Sequence, residues 1–279
     1  MTNTTLTLGY SPCPNDTFIF NALIHGLVPC EGITFTERLE DVETLNRLAM
    51  ESVLDLTKIS YHALGHLRDR YVLLRSGGAL GRGCGPLLVA KKPSSIEQLL
   101  DKTILIPGEL TTAHLLLQLH GEGFKQVKSL PFDQIIPALG RGEADAGVII
   151  HESRFTYQQQ GLHQVVDLGQ WWEQLTGLPI PLGGILARRD LPSAMIDNID
   201  SALSASVRYA QQHPEAAADY IRSHAQELSD TVTHDHIQLY VNSFSIDLGD
   251  EGIAAVQELL GRAEKQQLIP KCSLPLFNS

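Results

Sequence analysis

The sequence predicts an α/β chain of two domains, with a ligand cleft between them and two strands that cross from one domain to the other. Three observations carry that expectation. Short β-branched runs alternate with stretches of helical periodicity along most of the chain. The segment Gly85-Pro-Leu-Leu-Val-Ala-Lys-Lys-Pro-Ser94 echoes Gly184-Ile-Leu-Ala-Arg-Arg-Asp-Leu-Pro-Ser193: an apolar strand, two basic residues, then a Pro-Ser helix start. Several inferred strands end in small polar residues where a helix begins, and in open α/β sheets ligands bind at such strand ends.

In chain order, Leu6, Leu8 and Tyr10 alternate with polar residues and predict a first strand. Ser11-Pro-Cys-Pro-Asn-Asp-Thr17 breaks it and starts a helix that runs through Ile24 towards Gly26. Ile33 to Phe35 reads as a strand, and Val42, Leu45, Leu48 and Ala49 mark one face of a helix over 41–50. Leu54 to Ile59 is a strand ending at Ser60, followed by a helix from Tyr61 to Leu67. Strands at 71–74 and 86–90 flank the glycine-rich stretch Gly77 to Gly85.

The pattern then restarts. A capped helix at Ser94 to Leu100 precedes a strand at 102–106, a turn through Thr112 and a helix from Ala113 to Leu119. A helix at 133–139 leads to the run Ala146 to Ile150, too short for a helix and rich in β-branched residues, so a buried strand. It stops abruptly in His151-Glu-Ser-Arg154. Val165 to Leu168 and Leu182 to Ala187 are further strands, and helices are expected at 196–211, 214–224 and 252–266 with an irregular tail from Pro270. Two crossings through the echoing strands would make residues 91–182 one domain, and 1–90 with 183–279 the other.

A chain of 279 residues that is 43% hydrophobic and 19% charged is globular. A net charge of −11 argues against nucleic acid as the main partner. No run approaches the roughly 18 apolar residues of a membrane span. The opening nine residues have no signal-peptide pattern, which predicts a cytoplasmic protein. Cys13, Cys30, Cys84 and Cys272 form no C-x-x-C pair, so neither structural zinc nor a disulfide framework is expected. The sequence sets no oligomeric state and shows no cofactor fingerprint; Gly81 to Gly85 precedes a strand instead of joining strand to helix, which suits a hinge or a plain turn.

Helix N-termini offer free N–H groups and partial positive charge, so an acidic protein can still hold a small carboxylate. Ser11, Asn15, Asp16, Ser60, Thr111, Thr112 and His151 are the cleft candidates on that ground, although each is also an ordinary capping residue. His151 stands out because its unperturbed pKa of about 6.5 lets it move protons near neutrality. His62 and His66 have the i, i+4 spacing that can hold zinc but lack the surrounding H-E-x-x-H, and no metal is expected there. His234-Asp-His236 reads as solvated helix surface.

Taken together, Ser11-Pro-Cys-Pro-Asn-Asp-Thr-Phe-Ile-Phe20, Leu56-Thr-Lys-Ile-Ser60, Gly77 to Gly83, Thr111-Thr112 and Ile149-Ile-His-Glu-Ser-Arg-Phe155 resemble the 1,4-dihydroxy-6-naphthoate synthases of the futalosine route to menaquinone. The likeness extends over Asp167-Leu-Gly-Gln-Trp-Trp172 and Gln226-Glu-Leu-Ser-Asp230, nearly end to end. It implies a periplasmic-binding-protein-like fold used as a carbon–carbon lyase. The implied substrate is cyclic dehypoxanthine futalosine, and the products are 1,4-dihydroxy-6-naphthoate and dihydroxyacetone. Carried over by motif, His151 would be the proton acceptor, and Lys58, Ile59, Ser60, Thr111 and Thr112 would contact substrate. A solute-binding protein of the same fold and the related chorismate dehydratase are the competing expectations.

Overall fold

The computed structural model describes residues 3–121, 123–225 and 229–278, so residues 226–228 of the Gln226 to Asp230 motif lie outside it. Strands β1 (Thr4–Tyr10), β2 (Ile33–Leu39), β3 (Leu56–Ser60), β4 (Tyr71–Leu73) and β5 (Ala79–Gly81) open the chain. They are followed by β6 (Leu87–Ala90), β7 (Thr103–Ile106), β8 (Gln126–Ser129), β9 (Ala146–Ile149) and β10 (His163–Asp167), and lastly by β11 (Ile180–Arg188). The order β2-β1-β3-β11-β4, with β5 against β11, makes a six-stranded sheet; β10-β6-β9-β7-β8 makes a five-stranded one.

The two echoing segments become β6 and β11. Each runs antiparallel to every strand it pairs with, β6 to β9 and β10, β11 to β3, β4 and β5. Around them β1 is parallel to β2 and β3, and β7 to β8 and β9. Because β6 is hydrogen-bonded in the five-stranded sheet and β5 in the six-stranded one, the chain crosses between residues 81 and 87, ahead of the expected boundary at 90/91. It returns before Ile180, ahead of 182/183. A continuous apolar run carries no alternation to say which sheet will take it. At the first crossing Gly85 lies against the backbone of Gly169, and a Cβ there would stand 2.3 Å from Gly169 Cα. Only glycine fits that approach.

Most helices follow their sequence signals. Asp41 caps the helix Val42–Met50 by accepting from Glu43 N and Thr44 N, and Ser95 closes a capping box on Ile96–Leu99. Three elements differ from expectation. Leu168 does not end β10 but starts the helix Leu168–Thr176, because Asp167 caps it through Gly169 N and Gln170 N. β8, with mostly exposed polar side chains, has no apolar signal. Asp230–Tyr240 is a helix with His236 and Tyr240 buried, so the solvated-surface reading of His236 is wrong. The tail from Pro270 is irregular but not loose: Leu73 N donates to Leu276 O, and Leu73 bridges Phe277.

Both sheets bury their faces under helices. Leu6, Leu8 and Tyr10 of β1 pack with Phe20, Ile199 and Leu203 in one cluster. A second cluster runs from Leu64 through Leu116 to Leu259 and includes residues of both sheets, which leaves the two sheets sharing core beneath the cleft.

Candidate active site

The carboxyl ends of β3 and β9, and the helix starts after β1 and β7, converge on a cavity of about 90 Å³, room for several water molecules. Ser11, Asn15, Asp16, Lys58, Ile59 and Ser60 line it from the six-stranded side, and Thr111, Thr112 and His151 from the other. All nine cleft residues named from the sequence therefore border one space. Cys84, Gly85, Leu182, Gly183 and Tyr240 are among the other residues that border it.

On the first side, charge is neutralised internally. Lys58 Nζ donates to Asp16 Oδ1 at 2.8 Å, and both side chains are buried. Asp16 also accepts from Asn15 Nδ2 at 2.8 Å, Ser11 N at 3.3 Å and Ser11 Oγ at 2.7 Å. The ammonium of Lys58 is thus committed to Asp16, with Gly77 O at 3.4 Å as its second acceptor. Ser60 occupies the N-cap of the helix Tyr61–Leu67 but makes no capping bond. Asn46 holds it instead, accepting from Ser60 N at 2.9 Å and donating to Ser60 Oγ at 3.2 Å. That leaves the Ser60 hydroxyl proton free to point into the cavity.

The threonines differ from each other. Thr111 caps the helix Thr112–His120, accepting from His114 N at 3.2 Å and donating to Gly108 O at 2.7 Å. Thr112 Oγ1 accepts from Tyr61 N at 2.8 Å and donates to Leu182 O at 2.6 Å. Both hydroxyls have their protons placed, so what this helix offers a ligand is its first N–H groups, at Thr112 and Ala113.

His151 departs from ordinary geometry. Its φ is +56°, a left-handed conformation that side chains other than glycine rarely adopt and that clusters at functional sites. Its ring packs edge-on to Phe132, 4.9 Å between centroids, and stacks on His236 at 6.0 Å with 14° between planes. Among the described residues the ring makes no hydrogen bond, while the His151 carbonyl accepts from Arg154 N at 3.3 Å. Glu152, its neighbour in sequence, makes no hydrogen bond to the ring, and Glu152 Oε2 is itself buried without a hydrogen-bond partner. Desolvation lowers the His151 pKa, with Lys58 adding to the effect and Glu152, Asp16 and Asp41 opposing it. The shift favours the neutral ring.

Several residues here escaped the sequence reading. His236, fully buried, meets Asn15 Oδ1 through Nε2 at 2.9 Å. Its i, i+4 pairing with Tyr240 was the available signal. Asn46 and Glu43 are buried on the helix over 42–50 beside Leu45 and Ala49, and the polar pair was hidden by an apolar stripe. Glu43 Oε2 accepts from Leu110 N at 3.1 Å, linking the helix over 42–50 to the loop after β7. Burial raises the Glu43 carboxyl, against the hydrogen bond from Leu110 N.

Cys13, His151 and Glu152 each place one ligand-type atom within 4.8 Å of the others, a grouping a cation could use. Burial, then the charge of Glu152, raises the Cys13 thiol far above neutrality, so it is a neutral thiol and no nucleophile. The His62 ring lies tilted to His66 at 5.4 Å and edge-on to His114 at 6.1 Å, but among the described residues these rings do not form a ligand set, and desolvation lowers His62 to about 4. No helix among the described residues is long and apolar enough to cross a membrane.

Comparison with known proteins agrees with this architecture. A 1,4-dihydroxy-6-naphthoate synthase of Thermus thermophilus is 56% identical over 272 residues, covering 98% of each chain. One of Streptomyces coelicolor is 45% identical over 278 residues, covering 97% of this chain and 96% of its own. A crystal structure of an Archaeoglobus fulgidus protein superimposes with a TM-score of 0.89 at 36% identity, over 95% of this chain and 98% of that one. A Candida albicans protein with the generic periplasmic-binding-protein fold gives a TM-score of 0.68 at 17% identity, over 97% and 92% of the two chains. That last likeness shows the fold alone. A family model described as menaquinone biosynthesis matches residues 6–265, and the chain belongs to that family.

Proposed function

We propose that the protein is a carbon–carbon lyase that converts cyclic dehypoxanthine futalosine to 1,4-dihydroxy-6-naphthoate and dihydroxyacetone, with His151 as general base. The observation that carries the reading is a desolvated His151, its pKa lowered, at the wall of a cavity that a helix N-terminus and a serine hydroxyl also line. Breaking the bond needs a proton removed beside a carbonyl, and aromatisation of the ring then favours the product. A placed base contributes roughly 10²- to 10⁴-fold, so orientation in the cavity supplies much of the rest.

The ring carboxylate of the substrate would lie on Thr112 N, Ala113 N and the Ser60 hydroxyl, which supply charge complement without a cation. Lys58 then serves the site by holding Asp16, not by meeting the carboxylate with a free ammonium. Four free cysteines suit a cytoplasmic setting, which cell fractionation tests.

Mass spectrometry of the products after adding cyclic dehypoxanthine futalosine tests the reaction. Formation of dihydroxynaphthoate and dihydroxyacetone is expected. Binding without turnover would overturn it in favour of a solute-binding role, and dehydration of chorismate in a parallel incubation would replace it with the related enzyme.

A further inference from the structure

His236 carries two ring nitrogens yet is fully buried, and the reaction scheme above leaves it unused. Four side chains in series account for its orientation. Lys58 Nζ and Asn15 Nδ2 both donate to Asp16 Oδ1 at 2.8 Å. A carboxylate accepts and does not donate, so Asp16 determines which end of the Asn15 amide faces it. The other end, Asn15 Oδ1, then faces His236 Nε2 at 2.9 Å, and an amide oxygen only accepts. His236 is therefore the Nε2–H tautomer, with its lone pair on Nδ1. That nitrogen stands 3.9 Å from Glu152 Oε2, and the ring face lies along His151.

His151 needs such a neighbour. It has a left-handed backbone and, among the described residues, no side-chain hydrogen bond, and its ring packs against two others, Phe132 and His236. A base that swings even an ångström out of line loses rate steeply. We propose that His236 is a positioning residue for the reaction: its tautomer-locked ring is the platform that holds His151 over the cavity. The inference rests on His151 being the base.

Charge around the pair fits one proton, placed on His151. Facing the two rings are Glu152 and Asp41 beside His151, Cys13 and Asp16 on the first helix, Lys58 on β3 and Tyr240 one turn along from His236. Desolvation, then His151 and Lys58, pushes His236 down to about 3, while Glu152 and Asp16 favour protonation of His151. His236 stays neutral through the cycle and does not compete for the substrate proton.

Two measurements test this. Nitrogen NMR of the histidine-labelled protein should show His236 protonated at Nε2 and bare at Nδ1 from pH 6 to 8; the opposite tautomer, or an imidazolium, overturns the proposal. The variant His236→Phe keeps a ring against His151 but loses the donor to Asn15. It should lower kcat roughly 10- to 100-fold and displace the acid limb of its pH profile, with KM changed by less than about threefold. A folded variant with unchanged kcat and profile would show mere packing and overturn it. If that variant fails to fold, Asn15→Asp serves: a carboxylate facing Nε2 should add a second ionisation to the kcat profile, and an unaltered profile counts against the proposal. Failure of the wild-type protein to turn over the futalosine substrate would strike the reaction assigned above, and the NMR result would stand apart from it.

Discussion

Thr112 Oγ1 lies 2.8 Å from the backbone nitrogen of Tyr61, so the helix start after β7 is tied to the helix start after β3 by a single hydroxyl. The same oxygen donates to Leu182 O, which makes one threonine the joint between three segments. Thr112→Val would leave a buried N–H and a buried carbonyl unpaired. It should cost about 1–3 kcal/mol in urea denaturation, whereas Thr112→Ser should restore most of that. Equal losses in both variants would show that the methyl group, not the hydroxyl, matters.

Breaking the pair Lys58–Asp16 should be more damaging than breaking any surface ion pair. Removing one member of a buried pair strands the other charge, at about 3–5 kcal/mol. Lys58→Met alone is therefore expected to unfold at much lower urea concentration, and Lys58→Met with Asp16→Asn to recover part of the difference. The double variant being worse than the single would contradict the pairing.

His151→Asn offers a clean test of the base. Asparagine tolerates the left-handed backbone, so stability should stay within about 1 kcal/mol while kcat falls roughly 10²- to 10⁴-fold. His151→Val, forced into the same φ, should lose roughly 1–3 kcal/mol more. Near-normal turnover by folded His151→Asn would remove the residue from the mechanism.

A lowered His151 pKa sets the direction of the pH–rate profile. The base form persists below the ordinary histidine range, so kcat/KM should be level at pH 7–8 and fall on an acid limb whose midpoint lies below about 6.5. A midpoint above neutrality would mean that the carboxylates around His151 outweigh its desolvation.

Stability should follow the other buried histidines. His62 is lowered to about 4 and His236 to about 3, so the unfolded chain binds their protons first. Their contribution is complete above about 6.5, the unfolded value, and is lost as pH falls from there towards 4 and 3. Glu43, raised by burial, acts in the opposite sense. The urea midpoint is expected to drop between pH 7.5 and 5; a constant midpoint would show that these rings are wet.

The sequence by itself determined the alternation of strands and helices, the echo that became β6 and β11, and nine of the residues around the cavity. Those features are local, or repeat locally: an apolar run, a capping residue, a polar strand end. His151 was legible because its strand stops so abruptly. Tertiary structure alone decided the roles of partners distant in sequence. Asn15 and His236 are 221 residues apart, and no periodicity reports that their side chains share a hydrogen bond. The same holds for Lys58, a substrate contact by family resemblance, whose ammonium the fold commits to Asp16, and for Thr112, whose hydroxyl is spent on Tyr61 and Leu182. A side chain's type limits what it can bond, but burial beside a particular partner fixes what it does bond, and only the folded chain sets that neighbour.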